Sequence, residues 1–409
     1  MTALTLAEIR QLRDETPGCQ SGIIHFNHAG ASLPSQATLD AIIDQLQREA
    51  CDGPMEASEQ GAVLAEKARS AAAQLLNAPT SSIAFTSSGS TAWNMAFQAL
   101  GPWQPGDRIL VGRHEWGGNL ASMQTAVQAG AQVEVIPCDE TGAVSLAGLE
   151  SMIDKKVRLI DLNWLPANSG LINPAQAIGQ LAKRHAIPYF IDAGQALGQL
   201  PVDVQALECD VLKGAGRKHL RGPRGTAVLY VRPDFLKHLN PVQRDVFSAP
   251  WSPDGFDLRN DARRFETSEV SFALLAGLGN ALQEINRLGV ERIRQRIRLL
   301  SRMVRDELRQ IDGITLHDLG IAEHQSGLIA FNLAGVDAFE LKRRLGLKRI
   351  NIGANGVPYT PLDMQARNLA GIARISVSYF NTVEEIEHLV EALRRLSKNH
   401  AAVAAAELR

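Results

Sequence analysis

The stretch IPYFID, residues 187–192, has the pattern of a strand that is buried on both faces and ends on an acid. Continuous apolar runs of this kind are typical of parallel sheets that helices cover on both sides. Four similar runs precede it, separated by segments long enough for crossover helices: IAFT, RILVG, QVEVIP and VRLIDLNW. This alternation predicts an α/β fold with a mainly parallel sheet between Ser82 and Ala193. Asp192 would then lie at the carboxyl edge of the sheet, where open α/β sheets bind ligands.

A lysine in an unusual setting follows Asp192 by 26 positions, in GAGRKHLRGPRGTAVLYV, residues 214–231. Lys218 comes after a Gly-Ala-Gly run and before a Gly-Pro turn, and such residues suit tight, irregular backbone geometry. Neighbouring cations and desolvation can hold a lysine partly deprotonated, and the neutral amine is the nucleophile that forms Schiff bases. Loop lysines are more often simply solvated, so this segment alone leaves both interpretations open.

A third segment, SSIAFTSSGSTAWNMAFQAL at residues 81–100, offers a site for a phosphate group. A small-residue turn leads from a strand into a helix that begins at Thr91, so free backbone N–H groups and the positive end of the helix dipole converge there. Ser90 and Thr91 add hydroxyl groups, although such residues are also ordinary helix caps. Asp192 has a capping alternative too, but it could pair with the protonated nitrogen of a bound pyridoxal ring. Together, in this order, the three segments predict a pyridoxal phosphate (PLP) site.

On these residues the sequence resembles the class V aminotransferase family of fold-type I PLP-dependent enzymes. That group includes cysteine desulfurases, isopenicillin N epimerase and ergothioneine-type C–S lyases. The resemblance extends from FNHAGAS near Phe26 to ARISVSYFNTVEEIEHLVEAL, which ends at Leu393. It implies a large PLP-binding domain at residues 20–285 with a mainly parallel, seven-stranded sheet, and a smaller α+β C-terminal domain made of residues 1–19 and 286–409. It also implies a homodimer with shared active sites.

The same resemblance implies which residues contact the cofactor. Lys218 would be the Schiff-base lysine, Asp192 would pair with the ring nitrogen, and Gln195 would reach the ring oxygen. Ser90 and Thr91 would bind the phosphate.

Further residues are implied near the ring and the substrate. Asn168, in NWLPANSGLINP, would lie near the ring, and Arg374 would bind the substrate α-carboxylate. A guanidinium recognises that planar group through two parallel hydrogen bonds. The loop FNHAGAS approaches the active site in the family, so Asn27 and His28 are candidates for substrate contact. For His28 a local turn hydrogen bond is an equally good alternative.

Two segments leave a choice or depart from the family. In VGRHEWGGNLASM the family commonly places a side chain that stacks on the cofactor ring. His114 and Trp116 are the candidates; we favour Trp116, with a buried core tryptophan as the alternative. Before Lys218, Ala215 or Gly216 replaces the usual serine, and Arg217 replaces the usual histidine. One phosphate hydroxyl is therefore missing, and Arg217 could take its place as a charged donor.

The segment RRFETSE, residues 263–269, precedes an apolar helix. In the family this is where the dimer-spanning active site is built, and a residue just after the RFE motif reaches the partner's phosphate. Thr267 is the predicted cofactor-binding residue, with Ser268 as the alternative. Arg263 or Arg264 could face an active site or form a structural salt bridge, and the sequence leaves both open.

Composition argues against several other classes of protein. The 409 residues carry a net charge of −2 at pH 7, which gives no electrostatic reason to expect nucleic acid or an anionic membrane as a partner. No apolar stretch of about 20 residues occurs and the N-terminal segment is charged, so we expect a cytoplasmic protein. Four scattered cysteines, Cys19, Cys51, Cys138 and Cys209, indicate neither a disulfide framework nor a metal site.

The reaction is less constrained than the cofactor. Cysteine desulfurases carry a cysteine on a loop before the carboxylate-binding arginine, and residues 350–374 contain none, so a persulfide-forming desulfurase is disfavoured. The leading hypothesis is a C–S β-lyase on a cysteine S-conjugate or sulfoxide, because RRFETSE resembles the ergothioneine-type lyases more than the desulfurases. Lys218 would remove the α-proton as general base. An aminotransferase is the second hypothesis and an epimerase the third. A non-catalytic relative is disfavoured, since Lys218 and Asp192 are both present.

Overall fold

Two main sheets organise the chain, for which a computed structural model describes residues 3–407. The strands are β1 (Ile24–Phe26), β2 (Ile83–Thr86), β3 (Arg108–Gly112), β4 (Gln132–Ile136), β5 (Val157–Asn163), β6 (Tyr189–Asp192), β7 (Val211–Lys213), β8 (Ala227–Val231), β9 (Trp251–Ser252), β10 (Gly255–Phe256), β11 (Ile314–Leu316), β12 (Leu328–Leu333), β13 (Ile350–Gly356) and β14 (Gly371–Ser376). The helices are α1 (Leu6–Asp14), α2 (Pro17–Gln20), α3 (Gln36–Asp52), α4 (Ser58–Leu76), α5 (Gly89–Ala99), α6 (Gly117–Gln128), α7 (Leu146–Met152), α8 (Ala175–Arg184), α9 (Val204–Leu207), α10 (Phe272–Leu288), α11 (Val290–Leu308), α12 (Ala338–Gly346), α13 (Pro361–Ala366) and α14 (Val383–Glu407).

The larger sheet has seven strands in the order β2-β8-β7-β6-β5-β3-β4. Every neighbouring pair is parallel except the two pairs that β8 makes, with β2 and with β7. All residues of β6, β7 and β8 are buried, which explains why these strands are apolar without alternation. The predicted α/β fold with a mainly parallel, seven-stranded sheet is therefore confirmed.

The strand register places three polar residues side by side at the carboxyl edge of this sheet. Asn163 at the end of β5 is paired with Asp192 at the end of β6, and Asp192 is paired with Lys213 at the end of β7. Because parallel strands end at the same edge, residues distant in sequence meet there. The loop from β7 to β8 carries Lys218 back across the same edge.

The smaller sheet has the order β1-β13-β14-β12-β11. Its strands are antiparallel except for β1, which runs parallel to β13, with Ile24 opposite Ile350. Ile24–Phe26 are thus hydrogen-bonded into the smaller sheet. The division into domains of 20–285 and of 1–19 with 286–409 stays a prediction.

Two buried arginines tie the elements together. Arg69 on α4 binds Glu266 at 2.7 Å, and Glu266 also accepts from the backbone N–H of Phe85 in β2. Arg221, 2% exposed, joins the β7–β8 loop to the rest of the molecule through Glu284 on α10. Charges buried in this way require partners, and both arginines have them.

Among residues 3–407, no helix combines the length and the apolar composition that crossing a bilayer requires.

Candidate active site

A cavity of about 610 Å³ lies at the carboxyl edge of the larger sheet and is lined by residues of both sheets. It collects most of the side chains that the sequence predicted. The predicted residues that line it are Asn27, Ser90, Trp116, Asp192, Gln195, Arg217, Lys218 and Arg374. They come from several distant parts of the sequence, so the tertiary structure brings them together.

Lys218 is half-buried in this cavity. Desolvation lowers the pKa of its amine to about 7, and the positive charge of Lys213 is the next largest cause. Arg217 and Arg374 lower the pKa further, whereas the carboxylate of Asp192 opposes them. An amine with such a pKa is substantially neutral near neutral pH, as a nucleophile or general base must be.

Asp192 is buried at the end of β6 and holds three donors. Its Oδ2 lies 2.7 Å from Nζ of Lys213 and accepts from Asn119 at 3.1 Å, and its Oδ1 accepts from the backbone N–H of Gly194 at 2.9 Å. Burial by itself would raise the pKa of this carboxyl, but the ammonium groups of Lys213 and Lys218 lower it. Asp192 is therefore ionised and able to pair with a cation in the cavity.

Two further carboxyl groups lie behind Asp192. Glu115 accepts from Asn119 at 2.7 Å and from the backbone N–H of Asn163 at 2.9 Å. Burial, with the nearby charge of Asp192, raises the pKa of Glu115 to about 7. Burial, with the charge of Glu115, raises the pKa of Asp161 well above its usual range, and neither Asp161 oxygen meets a donor in the described part of the chain. Burial therefore favours the protonated form of both carboxyl groups.

The turn before α5 has the geometry of an anion site. Ser88 is the N-cap of α5 and accepts from the backbone N–H of Thr91 at 3.0 Å. Ser87, Ser88, Gly89 and Ser90 line the cavity, so the positive end of the helix dipole faces it. The hydroxyl of Thr91 lies 2.8 Å from that of Ser88, which keeps it at the helix cap and not among the lining groups.

Three polar atoms around the cavity are buried without a partner among residues 3–407. They are Oε1 of Gln195, Nη1 of Arg217 and Nε of Arg374. The rest of the Arg374 guanidinium is held by the carbonyl of Ala167 at 2.8 Å, and burial lowers its pKa to about 10. Buried polar groups normally have partners, so these atoms indicate that the cavity is built to bind a polar molecule.

Trp116 lines the cavity, with its ring edge-to-face against Tyr359 at 5.2 Å between centroids. The other stacking candidate, His114, is 1% exposed and lies 3.4 Å from Asp363, away from the lining groups. Burial lowers the pKa of His114 to about 4. Only Trp116 of the two is placed to meet a ring in the cavity.

Two predicted contacts are turned away from the cavity. His28 is fully buried, with its ring nitrogens 2.8 Å from Oγ of Ser32 and 2.9 Å from the carbonyl oxygen of His25, so the local-turn alternative describes its bonding. Asn168 donates to Oγ1 of Thr360 at 2.9 Å and lies behind the cavity wall. Each side chain has its hydrogen bonds satisfied elsewhere, which is why neither is free to face a ligand.

The RRFETSE segment also lies away from this chain's cavity. Thr267 is half-exposed and donates to the carbonyl of Glu269 at 3.3 Å, while Ser268 donates to Asp245 at 2.9 Å. Arg263 binds Asp261 at 2.6 Å, and Arg264 donates to backbone carbonyls, among them that of Arg259 at 2.7 Å. The two arginines thus have structural partners, and Thr267 does not line the cavity of its own chain.

The sequence analysis missed several lining residues, of which Lys213, His25 and Asn163 are the most prominent. Lys213 and Asn163 each end a buried strand, so a polar residue closing an apolar run was the available signal. His25 lies on β1, two positions before Asn27, which continues the extended chain in a bridge to Ser376, and residues with that spacing share one face of an extended segment.

A family model described as aminotransferase class-V matches residues 24–389. The chain belongs to the class V aminotransferase family. It is accordingly a PLP-dependent enzyme, and PLP is the cofactor expected in the cavity. The unpartnered atoms of Gln195 and Arg217, the turn before α5 and the amine of Lys218 fit such a molecule, since they offer polar partners, an anion site and a nucleophile.

Similar proteins include several that are named cysteine desulfurase. A probable cysteine desulfurase of Xylella fastidiosa (strain 9a5c) is 29% identical over 383 residues, which is 92% of this chain and 91% of the relative. A cysteine desulfurase of Pectobacterium atrosepticum is 30% identical over 347 residues, 83% of this chain and 84% of the relative.

Solved structures confirm the fold-type I architecture. The apo cysteine desulfurase of Thermococcus onnurineus NA1 superposes with a TM-score of 0.88 at 24% identity, over 98% of this chain and 100% of that one. A cystine C–S lyase in complex with its reaction product, cysteine persulfide, superposes with a TM-score of 0.84 at 26% identity, over 93% of this chain and 99% of that one.

Proposed function

We propose that this enzyme is a C–S β-lyase that acts on a cysteine-derived α-amino acid, such as a cysteine S-conjugate or sulfoxide. The reaction breaks the bond between the β-carbon and sulfur and releases the sulfur-containing fragment. The remaining aminoacrylate takes up water to give pyruvate and ammonia. The similarity to proteins named cysteine desulfurase and cystine C–S lyase supports a sulfur-containing substrate.

One observation carries the choice of lyase over desulfurase: the cavity holds an amine and a guanidinium but no cysteine. All four cysteines fall within the described residues, and none lines the cavity. Burial also raises the pKa of Cys19, Cys138 and Cys209, so these thiols are poorly ionised and weak nucleophiles. A persulfide route needs a reactive thiol at the site, and direct release of the sulfur fragment does not.

The residues of the cavity suit that reaction. PLP, when bound, supplies the electron sink that labilises bonds at the α-carbon. Arg374 would hold the substrate carboxylate and so orient the α-carbon. Nζ of Lys218 would take the α-proton, and its pKa of about 7 matches this task at neutral pH. Asp192, ionised and buried, would hold a proton on the ring nitrogen.

The test is product analysis with purified, PLP-loaded enzyme and a panel of cysteine S-conjugates and sulfoxides, without a keto acid. We expect pyruvate and ammonia to accumulate continuously in equal amounts. A single turnover that stops and resumes on addition of a keto acid would instead show an aminotransferase, and loss of chirality without release of sulfur would show an epimerase.

Lys218→Ala and Lys218→Arg are the matched variants for that assay. Both should abolish pyruvate release, because the arginine keeps the charge but cannot supply a neutral amine. A Lys218→Ala protein that still forms a borohydride-reducible adduct with PLP at this cavity would contradict the proposed role of Lys218.

The oligomeric state and the cellular location are proposals as well. A homodimer would give Thr267 a role, because a residue outside its own cavity can complete the partner's phosphate site. We also propose a cytoplasmic location, as the sequence predicts.

A further inference from the structure

Lys213 is a buried lysine inside the site whose role the family assignment leaves open. It ends β7, five residues before Lys218, and is 5% exposed. Its Nζ lies 2.7 Å from Oδ2 of Asp192. A lysine is rarely buried to this degree without a charged partner, and here the partner is the carboxylate assigned to the ring nitrogen.

The amines of the two lysines lie on the same side of Gly194. A Cβ placed at Gly194 would stand 3.5 Å from Nζ of Lys218 and 3.7 Å from Nζ of Lys213, so the nitrogens can be no farther apart than these distances together. A Cβ placed at Gly89 would stand 3.4 Å from Nζ of Lys213, so the same amine also borders the turn before α5. Lys213 therefore lies between the carboxylate, the other lysine and the anion site.

Other charged or titratable groups also face Lys218. Arg217 precedes it in the chain, Arg374 reaches it from β14, and Asp192 from β6. Four more groups line the cavity: His25 on β1, Arg224 in the β7–β8 loop, Tyr359 before α13 and Lys342 on α12. Glu115 and Asp161 lie behind Asp192. Replacing residue 213 alters none of these side chains chemically, and it removes the ion pair between Lys213 and Asp192.

We propose that Lys213 is a positioning residue that keeps the amine of Lys218 neutral before the cofactor arrives. It acts in two ways: its ammonium repels a proton on Lys218, and by binding Asp192 it prevents that carboxylate from pairing with a protonated Lys218. The proposal rests on the proposed function, in which Lys218 is the PLP-binding lysine. Lys213 itself need not touch the reacting atoms.

The neutral form matters because capture of the cofactor consumes it. The nitrogen of Lys218 bonds to the aldehyde carbon, and its two protons leave with the aldehyde oxygen as water. A protonated amine has no free electron pair and cannot begin this step. The rate of capture by the cofactor-free enzyme therefore follows the fraction of neutral Lys218.

The experiment measures that rate against pH in the full-length protein after its PLP has been removed. PLP and, separately, pyridoxal are added, and the change in absorbance gives the capture rate. Pyridoxal lacks the phosphate, so it separates an effect on the amine from an effect of Lys213 on phosphate binding. Borohydride reduction followed by peptide mapping identifies the lysine that was modified.

Four variants make the comparison sharp. Lys213→Met removes both the charge and the donor to Asp192, Lys213→Gln removes only the charge, and Lys213→Arg keeps both. Lys342→Met removes a positive charge at the rim of the same cavity, where the lysine is exposed and is not paired with Asp192. Thermal melting of each variant shows that it is folded.

With both aldehydes, the pH midpoint of capture should rise by about 1 to 2 pH units in Lys213→Met and Lys213→Gln, the effect of removing a like charge within about 7 Å at an effective dielectric constant of about 20. Lys213→Arg and Lys342→Met should keep the wild-type midpoint. A folded Lys213→Met or Lys213→Gln protein with the wild-type midpoint would overturn the inference.

Peptide mapping distinguishes failure of the positioning role of Lys213 from failure of the proposed PLP-binding role of Lys218. If PLP is linked to Lys218 in the wild type but the pH midpoint of capture is the same in the residue 213 variants, only the inference about Lys213 fails. If PLP is not linked to Lys218 in the wild type, the proposed function fails with it. An adduct at Lys213 would show that this amine is itself the nucleophile and would also overturn the positioning role.

Discussion

Three carboxyl groups and two lysines meet within one buried cluster at the carboxyl edge of the larger sheet. Lys213 neutralises Asp192 directly, at 2.7 Å, while desolvation favours the neutral amine of Lys218. Burial favours the protonated forms of Glu115 and Asp161, which removes the remaining negative charges. Balanced charge is needed here because an unpaired buried charge is strongly destabilising. The protonation state of each residue in this site therefore depends on the charges of its neighbours.

Replacement of Arg374 tests whether this side chain binds the substrate carboxylate. Lys in its place keeps the charge but loses the planar fork, and hydrogen bonds to charged groups are worth roughly 1.5–3 kcal/mol each. We expect Arg374→Lys to raise KM for the amino acid roughly tenfold to hundredfold, with a smaller change in kcat. Steady-state kinetics with the best substrate of the lyase panel provide the measurement.

The control for Arg374→Lys is an assay with the decarboxylated analogue of the same substrate. Wild type and variant should turn over this analogue at similarly low rates, since it has no carboxylate for either side chain to bind. A variant that keeps the wild-type KM for the amino acid would remove Arg374 from the carboxylate site.

Residues marked by a local motif could be predicted from the sequence. Residues whose position depends on the pairing of distant strands could not. Lys218 and Asp192 were predicted because a glycine-rich loop and a strand end each mark a position along the chain. Lys213 was missed because its role depends on the register of β6 against β7, which brings it beside Asp192. At His28 the sequence left substrate contact and a local turn hydrogen bond equally open, and in the structure the side chain bonds within its own turn.

At the scale of elements, the β7–β8 loop is held in place by one buried arginine. Arg221 donates to Glu284 on α10 at 2.7 Å, to Oη of Tyr379 at 3.0 Å and to Oγ1 of Thr16 at 2.7 Å. These partners come from three distant parts of the chain. The loop that carries Lys218 is thereby fixed to the helical layer and to the segment after β14.

Replacement of Arg221 by Met should destabilise the fold by roughly 3–5 kcal/mol, because Glu284 is left without its cation in a largely buried position. Urea unfolding of the cofactor-free protein gives this number. The Arg221→Met/Glu284→Gln double variant should be less destabilised than the sum of the two single variants, since it leaves no unpaired carboxylate. Strict additivity would mean that the pair does not couple the loop to α10.

The elements themselves were largely predictable, and their long-range partners were not. Apolar runs identified β2, β3, β5 and β6, because strands buried on both faces are apolar throughout. Nothing local in IHF at β1 shows that this strand pairs with β13, more than 300 residues later. The sheet to which β1 belongs could therefore not be predicted from the residues of β1 alone.

At the scale of the whole molecule, one predicted cofactor contact lies outside the cavity of its own chain. Thr267 is half-exposed, and its hydroxyl donates to the carbonyl of Glu269. A stripe of apolar side chains on α3 is also exposed: Leu39 by 38%, Ile43 by 39% and Leu46 by 51%. Their spacing of four and three residues places them on one helix face. Both features suit the proposed dimer, in which α3 is covered and Thr267 reaches the partner's site.

If that dimer forms, a charge on α3 should separate the subunits and weaken PLP binding at the same time. We expect Leu46→Glu to raise the dimer dissociation constant by at least roughly a hundredfold, because an unpaired carboxylate in an apolar interface costs several kcal/mol. Sedimentation velocity measures the dissociation, and equilibrium dialysis measures retained PLP. Leu347→Glu, at a leucine that is 74% exposed beyond α12, is the control and should change neither.

Thr267→Val should lower PLP affinity while leaving the dimer intact. A wild-type protein that is monomeric at micromolar concentration yet fully loaded with PLP would contradict the shared site and return Thr267 to a purely structural role.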